Sequence, residues 1–96
     1  MAKLIWSPKA VADLEEICQY ISRDSEHYAR LFAQRIIAVV EMIADFPMAG
    51  RVVPEYHRDD LRERIFQNYR IVYRIKSELI EIVAIVHGAR LLPELR

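Results

Sequence analysis

Hydrophobic positions recur at helical spacing through the first half of the chain. Ser7-Pro8 is typical of a helix start, because Ser can cap a helix and Pro suits its first position. The apolar stripe behind it predicts a helix that ends near Arg23-Asp24. A second, broader stripe predicts a helix from a cap at Ser25 to about Asp45. Because the connection is short, the two helices should pack as an antiparallel hairpin.

The period changes to strand-like alternation in the second half. Residues 62–66 and 69–76 predict two strands joined by a turn, and residues 79–86, apolar on both faces, predict a central strand. Residues 3–6 add a first strand. The order β-α-α-β-β-β predicts an α+β fold, with the helical hairpin packed on one face of a small antiparallel sheet.

Length and composition narrow the class of protein. A chain of 96 residues, 53% hydrophobic, predicts a single ordered domain over residues 1–96. The apolar runs are far shorter than the ~18–20 residues of a membrane span, so we expect a cytoplasmic protein without membrane contact. One cysteine, Cys18, excludes an internal disulfide and a multi-cysteine zinc site. No metal or cofactor is expected.

The net charge is zero, but its distribution is uneven. Residues 58–76 contain six basic and three acidic side chains. We expect Arg70 and Arg74, with Arg62 or Arg64, on the sheet face away from the helices. Arginine binds phosphate and carboxylate through two parallel hydrogen bonds, so this face would be a cationic, concave binding surface. The alternative is a solvated strand face with surface ion pairs.

Five segments of the chain form a recognisable set. They are Trp6-Ser7-Pro8-Lys9-Ala10, Phe46-Pro47 with Gly50-Arg51, Leu61-Arg62-Glu63-Arg64, Asn68 to Ile75, and Ile82 to Arg90. Taken together, they resemble the RelE/ParE superfamily of toxins from bacterial toxin–antitoxin modules. The resemblance covers nearly the whole chain and implies the same fold. It also implies an antitoxin partner that wraps the toxin, with operator DNA bound only through that antitoxin.

The superfamily implies two alternative activities. Its RelE-like branch cuts messenger RNA on the ribosome without metal, using basic residues and a C-terminal Tyr, or a His-Tyr pair, as acid and base. Its ParE-like branch inhibits DNA gyrase. The nuclease's basic positions match Arg62, Arg64, Arg70 and Arg90. Residues 91–96 hold no Tyr or His, and the context His87-Gly88-Ala89-Arg90 is typical of ParE-like sequences, which favours a structural role for His87.

The sequence therefore predicts a toxin that inhibits gyrase and has no turnover of its own. The target-binding candidates are Arg62, Arg64, Arg70, Arg74 and Arg90. The alternative is a ribosome-dependent endoribonuclease whose catalytic candidates are Arg62, Arg64, Arg70, His87 and Arg90. A third possibility is an inactive relative of such toxins.

Two further interpretations concern the antitoxin and the long loop. Leu31, Ile37 and Met48 are apolar residues beside the helical hairpin and are candidates for antitoxin binding, with a place in the core as the alternative. Glu55 and His57 would form an acid/base pair if the loop between residues 47 and 60 folds over the sheet.

Overall fold

The computed structural model describes residues 3–90 and 92, and these form two helices and a five-stranded sheet. The helices begin at the predicted caps, where the Ser7 and Ser25 side chains accept hydrogen bonds from the Ala10 and Tyr28 amides. The elements are β1 (Lys3–Trp6), α1 (Pro8–Ser22), α2 (Glu26–Asp45), a 3-10 turn (Pro47–Ala49), β2 (Arg51–Val52), β3 (Leu61–Phe66), β4 (Tyr69–Lys76) and β5 (Leu79–His87).

The sheet has the strand order β1-β5-β4-β3-β2. The predicted antiparallel meander of the last three strands and the central place of β5 are confirmed. Two details of the prediction are wrong. Strand β1 pairs with β5 in parallel. The helical hairpin returns the chain to the end of the sheet at which β1 starts, and the antiparallel strands β3, β4 and β5 then leave β5 running in the direction of β1. The loop also contributes the two-residue edge strand β2, which is too short to show alternation in the sequence.

Both faces of the sheet carry an apolar core. The main core lies between the helices and the sheet, where Phe32, Ile36 and Ile43 of α2 meet Ile71 and Tyr73 of β4. We call the opposite side the outer face. A smaller cluster covers part of it, formed by Val53, Leu61, Val72, Ala84 and Val86, with Tyr56 and Leu92 packed against it. The outer face is therefore partly closed by the loop and by the chain after β5.

A β-bulge in β5 changes which side chains face the helices. Tyr73 pairs with Ile82 and Val72 with Ala84, so Val83 is the extra residue. Two side chains at and near the start of α1, the N-cap Ser7 and Asp13, form hydrogen bonds with backbone groups of β5 at or beside the bulge. The Ser7 hydroxyl donates to the Val83 carbonyl at 3.0 Å, and Asp13 Oδ2 accepts from the Ile85 amide at 3.0 Å.

Asp13→Ala is expected to lower the free energy of unfolding by about 1–2 kcal/mol, because it leaves the Ile85 amide without its acceptor. Urea unfolding followed by circular dichroism measures the loss. Asp13→Asn is the matched control, since its side-chain oxygen still accepts a hydrogen bond, and it should lose less than half as much. Equal losses would attribute the effect to the lost ion pair between Asp13 and Lys9 instead.

Candidate functional site

The arginines of β3 and β4 lie on opposite faces of the sheet. Arg62 pairs with Tyr73 and Arg64 with Ile71, whose side chains face the helices, so the predicted shared face is wrong for these two arginines. Arg70 lies on the outer face beside the core residue Val72. The two-residue turn between Phe66 and Tyr69 sets this register, and it was the signal in the sequence that could have revealed the split.

Arg70 is a buried ion-pair partner on the outer face. Its side chain is 6% exposed. Nε donates to Glu63 at 2.7 Å, and Nη1 and Nη2 donate to the two carboxylate oxygens of Glu55 at 2.7 and 2.6 Å. Glu63 is itself fully buried, and Arg51 is its second partner, on the edge strand. Arg70 is thus neutralised within the fold and does not present an open cation.

The contacts between Arg70 and Glu55 favour the charged forms of both side chains. The hydrogen bonds from Arg70 are the main cause that lowers the pKa of Glu55 to about 2, against a smaller contribution from burial. The same contacts raise the pKa of Arg70. Since the folded pKa of Glu55 lies below its ordinary value, its contribution to stability is present above pH 4.5 and is lost as the pH falls towards 2. A carboxylate this weakly basic is a poor general base.

The long loop folds over the outer face, but it does not form the predicted acid/base pair. Glu55 contacts Arg70, as described, and also accepts a hydrogen bond from the Leu92 amide at 3.1 Å. His57 is exposed and adopts a left-handed backbone conformation, with φ of 51°. The loop thus folds over the sheet as the prediction required. Glu55, however, forms an ion pair with Arg70 and not an acid/base pair with His57.

The other arginines differ in how many hydrogen bonds and ion pairs their side chains form within the domain. Arg62 donates to the carbonyls of Asp59 and Gly50, and thereby ties the loop to β3. Arg74, three-quarters buried, lies 3.8 Å from Glu81, and its Nε has no hydrogen-bond partner within the described part of the chain. Arg74 is therefore less firmly paired than Arg70, and Arg64 is half-buried on the helix side.

His87 and Arg90 lie together at the end of β5. Both are exposed and line a shallow pocket with Glu16, Tyr20 and Tyr69, between α1 and the sheet. The Nδ1 atom of His87 accepts from the Ala89 amide at 3.3 Å, and its ring meets Tyr69 edge to face, with centroids 5.8 Å apart. These contacts fit the structural role predicted for His87, as they fix the turn that places Arg90.

Tyr73 anchors the segment that contains Pro47 and Gly50. Its buried hydroxyl donates to the Pro47 carbonyl at 2.6 Å and accepts from the Gly50 amide at 3.1 Å. A Cβ atom on Gly50 would collide with this hydroxyl and lie 2.8 Å from the Glu63 carbonyl. The Pro-Met-Ala-Gly motif therefore serves a close approach of the backbone to β3 and β4.

The candidate antitoxin-binding residues lie at the surface. Ile37 and Met48 are exposed and Leu31 is half-buried, so none of the three belongs to the buried core. Met42 of α2 and Phe46, which directly follows this helix, are also exposed and add apolar surface on the solvent side of α2. Which residues an antitoxin covers stays a prediction.

The Cys18 side chain lies beside the main core. Burial raises the pKa of the Cys18 thiol, which lies 3.8 Å from the Ala29 carbonyl. Among residues 3–90 and 92, no three His, Cys, Asp or Glu side chains are grouped closely enough to hold a metal ion. Neither of the two helices in this part of the chain is long and apolar enough to cross a membrane.

Comparison with known proteins agrees with this fold. The family described as the ParE toxin of the type II toxin–antitoxin system parDE matches residues 4–92. The chain is 33% identical over 91 residues to the protein named Toxin RelE2 of Caulobacter vibrioides, covering 95% of this chain and all of that one. It is 29% identical over 94 residues to the putative toxin Y4kP of Sinorhizobium fredii, covering 96% of this chain and 94% of that one.

A solved structure shows the same architecture. The chain superposes on a chain of the chromosomal ParDE system from P. aeruginosa with a TM-score of 0.75 and 24% identity, covering 91% of this chain and 96% of that one. Fold and sequence together define a type II toxin of the RelE/ParE superfamily. Within that class, the chain belongs to the ParE toxin family. Its partner is accordingly a cognate antitoxin.

Proposed function

We propose that this toxin acts by inhibiting DNA gyrase through protein contact. The observation that carries the proposal is the state of Arg70. In a metal-free ribonuclease this strand arginine would face the substrate phosphate, whereas here Glu55 and Glu63 engage its donors. A neutralised, buried guanidinium is a weak stabiliser of a phosphorane, so the fold supports binding better than RNA cleavage.

The exposure and pairing of the arginines support a choice among the candidates for target contact. Arg90 is exposed at the end of β5, and Arg74, one-quarter exposed on the outer face, is held by a long ion pair of 3.8 Å with Glu81. We assign target contact to these two and a structural role to Arg70. Arg62 holds the loop, and Arg64 remains a contact candidate on the other side of β3.

The proposal is tested with purified toxin, DNA gyrase, relaxed plasmid and ATP. We expect the toxin to stop supercoiling and to leave linear DNA after protein is removed with detergent and protease. Toxin mixed beforehand with its antitoxin is the control and should have no effect. Arg90→Ala should weaken inhibition severalfold, while Lys76→Ala, a basic residue at the end of β4 that already contacts Glu81, should not.

A ribosome-dependent endoribonuclease is the second candidate. One relative carries the name Toxin RelE2, and the pocket beside His87 brings an imidazole, a phenol and Arg90 together. The same toxin is therefore added to translating ribosomes, and the mRNA is mapped by primer extension. Cleavage in the A site with gyrase unaffected would overturn the gyrase proposal. No effect in either assay and no growth arrest on expression would favour an inactive relative.

A further inference from the structure

Arg70, Glu55 and Glu63 form what we call the Arg70 cluster, and this cluster binds the backbone of Arg90 and Leu92. Glu55 Oε2 accepts from the Leu92 amide at 3.1 Å, and Arg70 Nη1 donates to the Arg90 carbonyl at 3.2 Å. The Leu92 side chain packs against the apolar cluster of the outer face. Three parts of the chain, far apart in sequence, thus meet at one carboxylate.

Glu55 is the residue that joins these parts. Arg70 would keep Glu63 as a buried partner without it, because Nε and Nη2 both lie 2.7 Å from Glu63 Oε1. The Leu92 amide, in contrast, has Glu55 as its acceptor. Removing the Glu55 charge should therefore release the C-terminal residues while it leaves the pairing between β3 and β4 in place.

We propose that Glu55 is a positioning residue that holds Arg90 and Leu92 against the outer face and so sets where Arg90 is presented to the target. The backbone of Arg90 is fixed on one side by Arg70 and on the other by its own amide, which donates to the His87 carbonyl at 3.0 Å. An arginine on a backbone held at both sides loses less conformational entropy on binding. The part of this inference that concerns the target rests on the proposed function.

The position of Glu55 in the loop is well determined by its neighbours. Val53, fully buried, and Tyr56 pack on the outer face on either side of it. The Val53 amide also donates to the Leu61 carbonyl, and the Tyr56 and His57 amides donate to the Val53 carbonyl. The loop is therefore a folded support, and a bidentate bond from Arg70 then fixes the Glu55 carboxylate itself.

The test compares the wild type with Glu55→Gln and with Glu78→Gln, an exposed carboxylate of the β4–β5 turn that serves as the matched control. Amide hydrogen exchange is measured at Leu92 and along β4. We expect Glu55→Gln to accelerate exchange at Leu92 about tenfold or more. Gln is uncharged and its NH2 group would face one of the two Arg70 donors, so the bidentate pair that fixes the acceptor of the Leu92 amide is lost. Exchange along β4 should remain at the wild-type rate, and Glu78→Gln should change neither.

The second readout is growth arrest when each variant is expressed without the antitoxin, at matched protein levels. The amount of Glu55→Gln needed to halve growth should rise severalfold. Unchanged exchange at Leu92 would overturn the contact, and faster exchange with undiminished growth arrest would overturn the positioning role. Neither readout depends on which target the toxin has. A failure of the wild type to inhibit gyrase would therefore contradict only the proposed function.

A further variant covers the case in which Glu55→Gln does not fold. Leu92→Pro removes the donated amide hydrogen and leaves the Glu55–Arg70 pair intact. Exchange is then read at Ala89 and Arg90, where we expect acceleration together with weaker growth arrest. Wild-type exchange at these amides, or full toxicity, would contradict the proposal.

Discussion

Arg70→Ala is expected to lower the free energy of unfolding by about 3–5 kcal/mol, because it removes the buried partner of a fully buried carboxylate. Glu63 would keep only Arg51, whose side chain is 61% exposed and offers a weaker, screened contact. Glu55 would lose its partner as well. For a domain whose total stability is about 5–15 kcal/mol, this is a large share.

The measurement is equilibrium unfolding in urea for Arg70→Ala and for Arg51→Ala. Each variant removes one cation from the same carboxylate, and they differ in burial. Arg51→Ala should cost less than about 1 kcal/mol, as surface ion pairs do. Similar losses in the two variants would contradict the interpretation of Arg70 as the structural centre of the outer face.

This expectation changes how a toxicity assay of Arg70 variants is interpreted. Loss of growth arrest in Arg70→Ala would follow from unfolding alone, and would not show that Arg70 touches a substrate or a target. Arg90→Ala and Arg74→Ala report on target contact more directly, because Arg90 is exposed and Arg74 pairs with Glu81 and not with the fully buried Glu63. Stability and toxicity should therefore be measured on the same preparations.

Gly50→Ala is expected to destabilise the domain by about 3 kcal/mol, at the upper end for an overpacked site. The added Cβ would meet the Tyr73 hydroxyl and the Glu63 carbonyl, and one of these is backbone that cannot easily move. The hydroxyl would also lose its bonds to Gly50 and Pro47 if it moved away. Both effects act on the segment that leads into the edge strand β2.

A double-mutant cycle with Tyr73→Phe separates the two effects. Tyr73→Phe removes the hydroxyl and should cost about 1–3 kcal/mol, because the Gly50 amide and the Pro47 carbonyl lose a partner. The double variant should cost less than the sum, since the closest collision is gone. Gly88→Ala is the matched control: its Cβ would lie 3.1 Å from the Asn68 carbonyl, and a loss below 1 kcal/mol is expected. Strict additivity would exclude the collision as the cause.

The elements of the fold were readable from the sequence because they depend on neighbouring residues. Helical spacing and the caps at Ser7 and Ser25 locate α1 and α2, and alternation locates β3 and β4. The two-residue edge strand and the bulge at Val83 have no comparable period, so the sequence did not reveal them. The parallel pairing of β1 depends on the direction in which the hairpin returns the chain.

The sequence by itself determined the order of the helices and main strands, the helix-facing side of β4 and the toxin family to which the chain belongs. Only the tertiary structure decided which charged side chains are paired within the domain and which remain free to contact another molecule. Glu55, Glu63, Arg70 and the Leu92 amide are separated by 7 to 37 residues, and their contacts depend on how loop, strands and C-terminal residues pack together. A count of arginines predicts a cationic surface, whereas burial and pairing turn Arg70 into a structural residue, because a buried charge is stable only beside its partner.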